Sequence, residues 1–170
     1  MFKNILLPYD FENDFSAIPD YLEKVTDEDS VVVIYHVVTE NDLAISVKYY
    51  NKHKEDIIRE KEKKLTPFLR ELEKRDIQYK IDVDFGHIKD TILEKITSGD
   101  INNGEFDLVI MSNHRVDLNI KHVLGDVTHK IAKRSSVHTG LFSTDFPDCF
   151  SVKIFSTPNV FKLSNCLSKF

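Results

Sequence analysis

The stretch DLVIMSNHRVDLNIKHVLGDVTHKIAKR, Asp107 to Arg134, decides how this chain is read. Leu108 to Met111 form an apolar run that suits a strand buried on both faces. A polar segment follows, and Gly125 stands at the head of an amphipathic helix. Strand, loop, glycine and helix in that order are the layout of a phosphate-binding loop. There a helix N-terminus turns free N–H groups and partial positive charge toward an anion. A glycine-rich cradle, however, needs more glycine than this segment holds.

The same alternation extends outward in both directions. NILLPYD is a short apolar run ended by Pro8, and SVVVIYHVV is β-branched in the manner of a parallel strand. Between them SAIPDYLEKV places Ala17, Ile18, Tyr21, Leu22 and Val25 at helical spacing, with Pro19 in the first turn. TENDLAISVKYYNKHK is a connection that becomes helix. EDIIREKEKKLTPFLRELEKRD then carries Ile57, Ile58, Leu65, Phe68, Leu69 and Leu72 on one side, and Pro67 is expected to kink it. IQYKIDVDFG alternates as a strand up to Gly86. IKDTILEKITS is helical with Ile88, Ile92, Leu93 and Ile96 inward, and VHTGLFS is a fifth strand. Strands and helices alternating through short connections imply right-handed crossovers and an α/β fold, an open, mainly parallel sheet with helices on both faces. Ile5, Val33, Ile81, Val109 and Leu141 are expected in or beside its core. Ligands of such sheets sit outside the carboxyl ends of the strands. That rim gathers Asp10, Val37, Val38, Gly86 and the loop from Met111 to Asp126.

Composition narrows the function classes. A length of 170 residues suits one domain with its own core, expected at residues 1–143, with 144–170 as an extension docked on the domain or on a dimer mate. The net charge of -5 argues against a nucleic-acid surface, and the densest basic run, KHKEDIIREKEKK, is interleaved with acids like a solvated helix face. The N-terminal apolar run is too short for a signal sequence, and no segment approaches a membrane span, so the expected location is cytoplasmic. Cys149 and Cys166 match no metal or redox spacing; two free thiols are expected, with a disulfide between them as the alternative.

At these residues the chain resembles the universal stress proteins. NILLPYDF is similar to that family's opening strand, in which a hydrophobic run meets Pro, one residue, then Asp. VVIYHVV is similar to its second strand. The loop aligns without gaps to the family pattern of Gly, two residues, Gly, nine residues, Gly-Ser/Thr. Ser112 falls on the first glycine, Arg115 on the second, Gly125 on the third and Asp126 on the Ser/Thr. The resemblance runs from Phe2 to about Phe142. It implies five strands in the order 3-2-1-4-5, an adenine-nucleotide α-hydrolase-like fold, and a homodimer paired through the fifth strand. It also implies an ATP pocket at Pro8, Tyr9, Asp10, Val38, Met111, Ser112, His114, Arg115, Gly125, Asp126 and Val127.

Three of those positions depart from the pattern. Ser112 and Arg115 put side chains where the family uses glycine, which is strained wherever positive φ is required. Asp126 remains a good helix cap but sets a carboxylate where a phosphate would lie. Two unit charges about 4 Å apart repel by roughly 1 kcal/mol in water and about 4 kcal/mol near a protein surface. Micromolar binding is worth about 8 kcal/mol in all. Binding of MgATP is therefore expected to be weak or lost, with no other cofactor; a retained ATP-sensing site is the alternative reading.

The remaining chemistry-bearing residues take plainer readings. The seven histidines show no His-Glu-x-x-His spacing, and His114 and His122 read as loop residues. Asp82 and Asp84 resemble an acidic pair, yet the Ser/Thr and Lys that a receiver-type pocket needs are missing. No nucleophile elbow is present. The expectation is a stress-response factor that binds rather than catalyses, dimeric through Val137 to Phe155, with its protein partner unknown.

Overall fold

In the computed structural model the apolar runs become strands and the segments of 3.6-residue period become helices. Its described residues are 1–10, 15–39, 47–99, 104–113, 126–135 and 137–143. The elements are β1 (Asn4–Pro8), α1 (Ile18–Val25), β2 (Val31–Val38), α2 (Val47–Glu73), β3 (Gln78–Phe85), α3 (Ile88–Ser98), β4 (Leu108–Asn113), α4 (Asp126–Arg134) and β5 (His138–Ser143). The strands lie in the order β3-β2-β1-β4-β5, and every neighbouring pair is parallel. Leu6 aligns with Val33 on one side and with Val109 on the other.

Successive strand residues face opposite sides, so a central strand covered on both faces must be apolar throughout. Ile5, Leu6 and Leu7 are fully buried for that reason. One face packs Ile5, Leu7, Val32, Ile34 and Leu108 against Ile18 and Leu22 of α1 and Leu65, Phe68 and Leu72 of α2. The other packs Leu6, Val33, Tyr35 and Val109 against Ile92 and Ile96 of α3 and Ile131 of α4. Each such side chain removed from water contributes about 1.5–3 kcal/mol. Asp107, ahead of β4, fixes the start of β1: its Oδ2 accepts the N–H groups of Lys3 and Asn4 at 2.7 and 3.1 Å.

Ile5, Val33 and Val109 are buried as expected, and Ile81 is partly buried against the first face. Two expectations need correction. Backbone dihedrals remain helical through Pro67, and the non-helical residue within α2 is His53, at φ -119° and ψ 16°. Pro67 lies on the exposed side of α2, where water can take the Lys63 carbonyl that its missing N–H releases. Ile88 is 41% exposed rather than inward. It is the first residue of α3, ahead of the turns at which Ile92 and Ile96 meet the sheet. The proposed extension 144–170, with both cysteines and the SVKIF run, lies outside the described residues, as does the side chain of Leu141.

Candidate functional site

The carboxyl end of β1 is held by β2. Tyr9 N–H donates to the Tyr35 carbonyl at 2.8 Å. His36 Nδ1 lies 2.8 Å from the Tyr9 carbonyl. A carbonyl only accepts, so the imidazole proton of that bond sits on Nδ1. The Tyr9 ring stacks on Phe15 at 4.0 Å and tilts toward Phe68 at 5.5 Å. Tyr9 therefore spends its side chain on the cluster under α1 and α2, while Asp10 is exposed at the strand end.

The other sequence-derived positions divide between the two faces of the sheet. Val38, 1% exposed, packs with Ile57 and Val83 beneath α2. Met111, 5% exposed, belongs to the opposite cluster, and Val127 of α4 packs against that same cluster. The fold thus brings Pro8, Tyr9 and Asp10 together, and Met111 with Val127, and it places Val38 on the face opposite Met111. Ser112 lies in β4 opposite Phe142 of β5, and Asp126 opens α4. His114, Arg115 and Gly125, along with His122, lie outside the described residues. A carboxylate in the first turn of a helix favours the helix and answers the positive end of its dipole.

The rim helix is tied to its neighbour. Lys130 of α4 donates to Asp90 Oδ1 of α3 at 3.0 Å, and His87 Nδ1 stands 3.3 Å from the other oxygen. The Lys130 hydrogen bond, above all, holds the Asp90 carboxyl below the ordinary carboxylate value.

Asp82 and Asp84 do share one side of β3, but cations and a phenol already serve them. Lys95 Nζ donates to Asp82 at 2.6 Å; Tyr35 O–H and Lys54 Nζ donate to Asp84 at 2.9 and 3.3 Å. Lys95 also stands 5.5 Å above the Tyr35 ring. This is a structural ion network at the sheet's outer strand. Among the described residues no three His, Cys, Asp or Glu side chains gather to hold a metal ion.

An open groove of about 630 Å³ lies elsewhere, along the flank where α2 passes β3. Arg59, Lys63 and Arg70 of α2 line it with Tyr79, Lys80 and Ile81 of β3. The basic run over α2 reads from sequence as a solvated face. The signal for a groove was the return of cations at 59, 63 and 70, a helical spacing that keeps them on one side.

Residues 1–139 match the model of the universal stress protein family. Solved structures share the fold. A hypothetical protein solved as a test case of structural genomics is 22% identical with a TM-score of 0.62, covering 85% of this chain and 98% of its own. UspA from Lactobacillus plantarum is 15% identical with a TM-score of 0.52, covering 82% and 96%. A universal stress protein in complex with cAMP is 14% identical with a TM-score of 0.55, covering 85% and 98%. At such identities the likeness carries the fold alone. No curated protein matches the chain. Among the described residues no helix is long and apolar enough to cross a membrane.

Proposed function

This chain belongs to the universal stress protein family, and from that premise we propose a cytoplasmic stress-response protein that binds rather than catalyses. In this reading its adenine-nucleotide rim takes phosphate weakly or not at all. The observation that supports the reading is the place of Asp126, the first residue of α4. A phosphate drawn to that helix end would meet a carboxylate, at a cost of about 4 kcal/mol for one charge pair near 4 Å. The burial of Val38 and Met111 in opposite clusters supports it too, since neither leaves much apolar surface for an adenine ring.

A second reading keeps an adenine-nucleotide sensor at the same rim. It is favoured by the shared fold with the protein solved in complex with cAMP. Calorimetry with MgATP and with cAMP separates the two, and nucleotide carried through purification would be seen on denaturing the protein. Weak or absent heat supports the first reading; saturable binding at micromolar ligand overturns it.

The assembly proposed is a homodimer through β5 and the residues that follow, Val137 to Phe155. β5 is the last strand of the sheet order, and an outer strand offers backbone groups to a second chain. Light scattering on the full chain and on a chain ending at Thr144 tests this. A full-length monomer at tens of micromolar ends the proposal, and an unchanged shortened dimer removes only the tail's part.

A further inference from the structure

The groove between α2 and β3 gathers positive charge along one helix. The whole chain carries -5, yet three cations, Arg59, Lys63 and Arg70, line this groove on one helix. Lys63 and Arg70 are exposed and make no ion pair among the described residues. Of the two acids that also line it, Glu73 accepts the Tyr79 O–H at 2.8 Å. Burial first, and the Glu73 carboxylate second, push the Tyr79 phenol up, so that proton stays in place at neutral pH. Leu69 and Ile81 supply apolar lining.

We infer that this groove binds an extended acidic peptide segment of a partner protein. The spacing of the cations chooses that class. Arg59 and Arg70 are eleven residues apart on one helix, about 16 Å along its axis. They cannot converge on one phosphate or one carboxylate. An extended peptide advances about 3.3 Å per residue, so same-side acids fall about 6.6 Å apart. Arg59 and Lys63, one helical turn or about 6 Å apart, match that repeat. A nucleic-acid strand carries a negative charge at every step, and Glu62 and Glu73 in the same groove oppose it. The apolar lining suits the side chains between the acids. β3 is the outermost strand on this side of the sheet, so the groove lies at its margin, away from the rim at the strand ends. The inference is independent of whether that rim takes nucleotide.

The test is fluorescence anisotropy on the full-length protein, without nucleotide, using a labelled peptide of about six residues that alternates Glu and Val. A Lys–Val peptide and a short single-stranded oligonucleotide serve as the contrasting probes. The expected result is saturable binding of the Glu–Val peptide that weakens with salt and is preferred over both contrasts. Lys63→Glu with Arg70→Glu should weaken it by about tenfold or more and move the preference toward Lys–Val. Both positions are exposed, so the melting temperature should hold; if it falls, Lys63→Gln and Arg70→Gln carry the comparison and should each give a smaller loss. No binding of the Glu–Val peptide overturns the inference. So does equal binding of Lys–Val, tighter binding of the oligonucleotide, or affinity unchanged by charge reversal. If the double reversal instead abolishes self-association in light scattering, a second copy occupies the groove and the partner peptide is overturned.

Discussion

The rim and the outer flank of the sheet assign charge in opposite senses. At the rim, where α4 begins and its dipole would draw an anion, the chain has Asp126 as the first helical residue and an exposed Asp10 just past β1. On the flank, cations of α2 line a groove beside β3. The fold fixes which places are open to ligands, because strand ends and sheet margins are where side chains escape the packing. Side-chain charge then decides which place is used, and in this chain the charges favour the flank for acidic ligands.

The strongest way to break that contrast is to remove the rim's negative charge. Ser112→Gly, Arg115→Gly and Asp126→Ser together are expected to raise MgATP affinity by up to about a thousandfold. That is the equivalent of the roughly 4 kcal/mol charged to one carboxylate–phosphate pair. Calorimetry of the triple variant against wild type reads it directly. Unchanged affinity would mean that the carboxylate is not what distinguishes the rim, and the burial of Val38 and Met111 would then be the stronger obstacle.

The flank depends on β3, which pairs with β2 along its length and is also tied to α3 by the ion network on its other side. The Lys95 side chain is 10% exposed and donates to Asp82 at 2.6 Å. Lys95→Met would leave Asp82 with Lys54 at 3.9 Å as its remaining cation among the described residues. It should destabilise the fold by about 2 kcal/mol, less than a fully buried pair because Asp82 keeps some water. Urea unfolding of Lys95→Met, Asp82→Asn and the double variant measures the coupling. Additive losses would show that the pair contributes nothing as a pair.

Why the strands were legible in the sequence and the groove was not follows from the same contrast. β1 and β4 announce themselves because burial on both faces demands unbroken apolar runs such as Ile5-Leu6-Leu7. α3 runs from Ile88 to Ser98, as its pattern implied, because glycines bracket it. Gly99 holds φ at +71°, and a Cβ there would stand 2.6 Å from the Gly104 carbonyl oxygen. These are local signals. The separation of Val38 from Met111 depends on register between strands, which pairing sets and no single segment encodes. The groove depends on which strand lies opposite Arg59, Lys63 and Arg70, and Tyr79 to Ile81 come later in the chain. The break at His53 in place of Pro67 has the same character. A proline announces a lost N–H, but whether the helix bends depends on what surrounds the freed carbonyl.

That last point offers a smaller test of the flank. Pro67→Ala restores an N–H for the Lys63 carbonyl on an exposed helix surface and is expected to stabilise the protein by about 1 kcal/mol. Binding of the Glu–Val peptide should be unchanged, since Pro67 does not line the groove. Thermal melting and anisotropy on the same variant check both halves. A loss of peptide affinity would show that the proline shapes the groove, and the two regions would then differ in backbone as well as charge.

The smallest effect expected belongs to the bond that anchors the rim helix. Asp90 of α3 accepts from Lys130 of α4, and that hydrogen bond, followed by the charge of Lys130, lowers the Asp90 pKa in the folded state. A carboxyl whose folded pKa lies below its unfolded value contributes stability above the unfolded value, near 3.8. The contribution disappears as pH falls through the lower folded value, where both states hold the proton. Asp90→Asn should therefore be slightly less stable than wild type at pH 7, with the difference closing in acid below that folded pKa. Because Asp90 is solvent-exposed, salt should narrow the same gap at pH 7, the Debye length falling to about 3 Å at 1 M. Paired urea titrations at neutral and acid pH, with and without salt, are sufficient. A gap that persists in acid would assign the stabilisation to packing of the Asp90 side chain. The rim helix would then be held by shape, leaving charge to act only on what binds there.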